Sequence, residues 1–192
     1  LIPTWIDCCF ANASPGTGFY THIMADMTTF LDAYPDIDGV FFDQMCYQCI
    51  DYAHTDGITA VDNHPASLFG YSYEAVVTEL ADRLHEKGKT LWANGPFDLE
   101  VQKKVDGIMV EGTGSIALTL QYLTTGTKGL LIHSYMENLY NVEQMFRYCL
   151  LCGGNYSLGA SCSKAIPTDL PEGAEEILRR CIPLVDQLVG CR

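Results

Sequence analysis

Val105-Asp106-Gly107-Ile108-Met109-Val110-Glu111 reads as one short strand with punctuation at both ends. An Asp-Gly pair opens it, an apolar run follows, and a carboxylate stands where the run stops. Ile37-Asp38-Gly39-Val40-Phe41-Phe42-Asp43 repeats the pattern. A short apolar run bounded by turn residues fits a parallel strand covered on both faces. Asp38 and Asp106 then sit at strand entrances as turn formers with Gly39 and Gly107. Asp43 and Glu111 sit at the opposite ends, where the strands of a parallel sheet face the ligand crevice.

Helical patterns and further strands alternate around these two segments. Phe19, Ile23, Met27, Phe30, Leu31 and Tyr34 recur at spacings of three and four, as on one face of a helix. A long irregular stretch over about 44–70 follows the first strand. Tyr73, Val76, Val77, Leu80 and Leu84 then form an amphipathic face opposite Glu74, Glu79, Asp82, Arg83 and Glu86, and Gly88 ends that helix. Lys89–Asn94 reads as a strand closed by Gly95-Pro96, with a short helix over 97–104 after it. Beyond 105–111 come a helix near 115–124, a strand over 129–133, a helix over 138–152, an apolar stretch around Tyr156–Gly159 and a last helix over 172–189.

Strands joined by helix-length connections mean an α/β fold with a parallel sheet. No Gly-rich phosphate fingerprint follows any strand, which disfavours a dinucleotide fold. The expectation is a TIM-type (β/α) barrel. A whole barrel takes eight units and about 250 residues, so 192 residues correspond to a partial one, about strands 3 to 8, with the segment at Leu1 as strand 3. An open six-stranded sheet is the alternative. Residues 1–192 are read as a single barrel domain, expected to be a piece of a larger chain because Leu1 starts directly in an apolar segment. A remaining barrel segment or an accessory β-domain is the expected neighbour.

A net charge of −13 with 48% hydrophobic residues argues against nucleic acid and anionic membrane surfaces, which attract basic patches. No apolar run has the length of a membrane span. Nine cysteines are an odd number, so at least one thiol is unpaired. Two C-x-x-C spacings occur, Cys46/Cys49 and Cys149/Cys152, and core packing explains the second better than zinc, since it lies in a helical pattern. Reduced thiols suggest a reducing cytoplasm or an anaerobic extracellular setting.

Two carboxylates at the ends of strands separated by one neighbour are the equipment of a glycosidase. Asp43 and Glu111 are the candidate catalytic pair. Asn94, ending the strand between them, is placed to hold a sugar hydroxyl. Trp5, Asp7, Tyr47, His133 and Tyr135 are the other candidate substrate-binding residues, with Tyr52 and Glu137 near the cleft and Trp92, mid-strand, read as core. His54, Asp56, Asp62 and His64 share one loop but match no metal-ligand spacing, so neither a metal nor a cofactor is expected. No strand-end lysine suits Schiff-base chemistry, and no G-x-S-x-G elbow is present.

These motifs resemble those of (β/α)8 glycoside hydrolases, nearest to the endo-α-1,4-polygalactosaminidase-like family. There a strand reads Asp-Gly, three apolar residues and Asp, another ends in Asn-Gly, and a third reads Asp-Gly, three apolar residues and Glu. The matching positions are Asp38–Asp43, Asn94-Gly95 and Asp106–Glu111. The clan of α-galactosidases and α-glucosidases is similar in placing its nucleophile at strand 4 and its acid at strand 6. The resemblance implies Asp43 as nucleophile or base, Glu111 as general acid, and an oligosaccharide or glycoside as substrate. A catalytically inactive carbohydrate-binding barrel is the alternative.

Overall fold

The computed structural model describes residues 2–3, 9–43, 45, 49–96, 98–111, 128–135, 138–159 and 170–189. The chain forms two compact units, one from Leu1–Leu91 with Asp98–Val105, the other from Trp92–Phe97 with Asp106–Arg192.

The first unit opens with β1 (Ile2–Pro3) and β2 (Cys9–Phe10), which pair antiparallel in a sheet of their own. Ile2 and Pro3 thus lie outside the main sheet, where the Leu1 segment is expected to form strand 3; Leu1 and residues 4–8 fall outside the described residues. Pro3 has no amide hydrogen to give to a central ladder, and proline in sheets is confined to edges. Helix α1 (Gly18–Ala33) starts at Thr17, whose hydroxyl accepts the Tyr20 amide at 3.1 Å, a standard N-cap bond. The short strand β3 (Gly39–Phe42) follows.

The stretch read as irregular contains two small antiparallel ladders. β4 (Ile50–Asp51) pairs with β7 (Ser67–Leu68), and β5 (Ala60–Val61) with β6 (His64–Pro65). The turn of the second ladder is Asp62-Asn63, with φ of 50° and 62°. Two residues at positive φ match the twist of a tight hairpin. Runs of two residues are too short to show any periodicity, so sequence alone left them unseen.

Helix α2 (Glu74–Glu86) buries Val76, Val77, Leu80, Ala81 and Leu84, the face its spacing specified. Val76 joins Ala13 and Met24 in a core against which Phe19, Phe42 and Tyr73 pack. Tyr73 meets Phe19, Phe42 and Phe69 edge-on at centroid distances of 6.4, 5.9 and 5.5 Å, the arrangement that ring quadrupoles favour. Burial pushes the Tyr73 hydroxyl up to about 12. On the outer face Glu79 binds both Tyr20 and Arg83.

Strand β8 (Thr90–Asn94) runs through both units, and α3 (Leu99–Lys104), capped by Asp98, returns to the first. The second unit continues with β9 (Gly107–Glu111), β10 (Gly129–Tyr135), α4 (Leu139–Cys152), β11 (Asn155–Gly159) and α5 (Ala174–Val189). A helix near 115–124 falls outside the described residues. The strands form one five-stranded parallel sheet in the order β11-β10-β9-β8-β3, flanked by helices.

Register divides the second unit's sheet into two faces. Trp92 pairs with Gly107 and Gly107 with Gly129; Asn94 pairs with Met109, Glu111 with His133, and His133 with Ser157. Neighbours in register share a face, and faces alternate along each strand. On one face Ala93, Ile108, Val110, Leu130 and Ile132 are buried. Helix α4 covers that face: Val142, Met145, Phe146, Cys149 and Cys152 are buried, and Phe146 meets the Tyr156 ring at 5.2 Å. Helix α5 packs on α4 with Ala174, Ile177, Cys181 and Val185 buried. The other face carries Trp92, Met109, Leu131, His133, Asn155 and Ser157, all half-buried. Among the described residues β9 is buried on one face at Ile108 and Val110, and on the other Gly107 is buried, Met109 half-buried and Glu111 exposed. Apolar Met109 disguises this alternation in the sequence.

The Asp-Gly signature also acquires a packing reason. Neither Gly39 nor Gly107 has a positive φ. A Cβ on Gly107 would lie 2.5 Å from indole carbons of Trp92, and one on Gly129 would lie 2.8 Å from the same ring. A Cβ on Gly39 would fall on the Thr90 carbonyl oxygen. Both motif glycines make room for β8 rather than merely shaping a turn. Lys89, at the entrance to β8, donates to the carbonyls of Pro35 and Ile37, which ties down the approach to β3.

Candidate active site

Parallel strands present their carboxyl ends together, and in the second unit four of them carry a row of polar side chains at or within two residues of those ends. Asn94 closes β8, Glu111 closes β9, and His133 and Ser157 stand beside it on β10 and β11. Asn94 is 3% exposed, and its Nδ2 donates to Oε1 of Glu111 at 3.0 Å. Gly95, at φ 60°, turns the chain out of β8 and donates its amide to the Met109 carbonyl at 2.7 Å. That turn holds Asn94 at the level of Met109, one strand away from Glu111. The Glu111 side chain is exposed. His133 Nδ1 and Ser157 Oγ lie 2.9 Å apart, an imidazole steered by a hydroxyl.

Three of the residues singled out in the sequence thus come together: Asn94, Glu111 and His133. Asp43 belongs to the first unit, where it is exposed directly after Phe42 at the end of β3. Trp5, Asp7, Tyr47 and Glu137 lie outside the described residues, as does the side chain of Tyr135. Tyr52 is 55% exposed and lines a groove of the first unit with His54 and His64. Trp92 is half-buried across the two glycines.

Sequence reading missed Ser157 and the network around Asp51. Ser157 sits in a stretch read simply as apolar; counting alternate positions from Asn155 would have put it on the polar face. Asp51 is 6% exposed and accepts from Asn12 Nδ2 at 3.0 Å, His54 Nδ1 at 2.7 Å and the Ala53 amide at 2.9 Å. Burial pushes its carboxyl up, but the bonds from Asn12, His54 and Ala53 outweigh it, and the net shift is downward. Asn12 is 39 residues away in sequence, so no local motif could announce the pair.

Cys149 and Cys152 follow the core reading, and Cys181 is buried as well, whereas Cys49 is half-buried. Cys49, Cys149, Cys152 and Cys181 are free thiols, and burial pushes Cys149 up to about 12. Among the described residues no group of three or more His, Cys, Asp or Glu side chains converges as a metal site, and no helix is long and apolar enough to cross a membrane. No protein-family model matches the sequence, and neither the curated proteins nor the solved structures contain a match.

Proposed function

We propose that this protein hydrolyses O-glycosidic bonds of an oligosaccharide or glycoside, and that its sheet belongs to a (β/α) barrel. The observation that carries the reading is the Asn94–Glu111 hydrogen bond at the carboxyl ends of adjacent parallel strands. Reacting groups of barrel enzymes stand at these strand ends.

Glu111 acts as the general acid. The amide nitrogen of Asn94 is a donor only, so Oε1 is held as an acceptor and Oε2 is the oxygen that passes a proton to the leaving group. The second carboxylate that the reaction needs is assigned to Asp43 on the sequence pattern alone, with the role of attacking the anomeric carbon or activating water. His133, oriented through Ser157, and Asn94 bind hydroxyls beside the reacting bond; Trp5, Asp7, Tyr47 and Tyr135 are the further substrate-binding candidates that the sequence pattern supplies.

The test is turnover of a panel of aryl glycosides by the parent protein, Glu111→Gln and Asp43→Asn. Loss of about 10²–10⁴-fold in rate is expected for a missing general acid, largest for substrates with poor leaving groups. Activity surviving both substitutions would end the two-carboxylate assignment. Saturable sugar binding without turnover by the parent would instead identify an inactive carbohydrate-binding protein.

A further inference from the structure

The first unit holds a groove of about 620 Å³ lined by Tyr52, Ala53, His54, Thr55, His64 and Pro65. Two histidines supplied by different elements therefore line one open space. His64 stands on the tight hairpin of β5 and β6, in register with Val61. His54 follows β4 and is 50% exposed.

The two histidines differ in how they are held. His54 Nδ1 lies 2.7 Å from Oδ2 of Asp51, whose side chain is only 8% exposed. A carboxylate is acceptor only, so Nδ1 carries the hydrogen and the Nε2 lone pair is turned away from Asp51. Asp51 is itself fixed by Asn12 and the Ala53 amide, which keeps the ring from rotating. A buried carboxylate that sets the tautomer and orientation of an imidazole is the arrangement that prepares histidines to bind metal ions. The hairpin at Asp62-Asn63 fixes the position from which His64 approaches.

We propose that His54 Nε2 and the imidazole of His64 bind one divalent first-row transition metal ion of the Zn²⁺, Ni²⁺ or Cu²⁺ class in this groove. Neutral imidazole suits these ions, whereas Mg²⁺ and Ca²⁺ require oxygen ligands. No third protein ligand converges on the groove among the described residues, so water or a bound small molecule completes the coordination. The net charge of −13 raises the local concentration of cations around the whole molecule. Asp51 acts as a positioning residue for His54 and does not touch the ion.

The experiment is calorimetric titration of the whole purified chain with Ni²⁺ at neutral pH, beside His54→Ala, His64→Ala and Asp51→Asn. Optical spectra of the Co²⁺-loaded proteins separate imidazole ligation from thiolate ligation, which the cysteines would supply. The parent is expected to bind one ion at this site with no thiolate signature, and each His→Ala change to weaken that binding at least tenfold. Asp51→Asn should weaken it about 10–100-fold, as loss of a carboxylate behind a ligating histidine does. Should Asp51→Asn fail to fold, His64→Ala still decides the matter, because His64 is exposed on a two-residue strand. Equal affinity in the parent and a His54→Ala/His64→Ala double variant, or a thiolate spectrum in the parent, would overturn the proposal.

Discussion

Replacing Gly107 with alanine tests the register that carries the candidate site. The new methyl would lie 2.5 Å from two indole carbons of Trp92, whereas carbons pack at about 3.5–4.0 Å. An overlap of roughly 1 Å has to be relieved by moving the ring or parting the strands, and overpacking of this kind costs about 1–3 kcal/mol. In a Trp92→Ala background the overlap is gone. There alanine should be better than glycine in a strand interior by about 0.5–1 kcal/mol. The same substitution therefore reverses sign between backgrounds, with a coupling energy of about 1.5–4 kcal/mol summed from those two effects. Urea unfolding followed by far-UV circular dichroism measures all four corners of the cycle, since Trp92→Ala removes one of the two tryptophans and compromises fluorescence. The rung from Trp92 to Gly107 continues to Asn94 and Met109, so Gly107→Ala should also loosen the Asn94–Glu111 contact and lower any glycosidase rate. Equal stability of Gly107→Ala and the parent in the Trp92 background would refute the reasoning.

Three further outcomes are expected. Asn94→Asp sets a second carboxylate against Glu111 in place of a part-buried hydrogen bond and should destabilise the fold by about 1 kcal/mol at neutral pH. Acidification should relieve the loss as the pair takes up a proton, which thermal melts across pH will show. Asp51 is held below its ordinary value, so the stability it contributes is present above about pH 4, the unfolded value, and disappears as pH falls through the folded one. The parent should thus lose stability in acid more steeply than Asp51→Asn, and matching acid limbs would contradict this. Burial pushes the Cys149 thiol up to about 12, so it stays protonated at neutral pH, and the thiolate is the reactive form. Cys149 should resist alkylation in the native protein and react once urea is added, as peptide mass spectrometry will report.

Much of the architecture was legible from residue order alone. Apolar runs opened by Asp-Gly and closed by a carboxylate mark β3 and β9, and three-and-four spacing marks α2, because these signals are local and each element must present its apolar side to a core. Asn94 and Glu111 were singled out for the same reason: a polar residue ending an apolar strand in a parallel sheet falls at the crevice. Tertiary structure decided what depends on neighbours distant in sequence. Only the register across β8, β9, β10 and β11 reveals which side of each strand is covered, that Met109 lies on the half-open face, and that Ser157 stands beside His133. Only packing explains Gly39 and Gly107, whose missing side chains are occupied by Thr90 and Trp92. The Asp51–His54 pair needs Asn12 from 39 residues away, and Ile2–Pro3 pairs with Cys9–Phe10 outside the main sheet. Periodicity records which side of an element is apolar; which chain covers that side, and which polar groups then meet across strands, is settled by contacts that no single stretch of sequence contains.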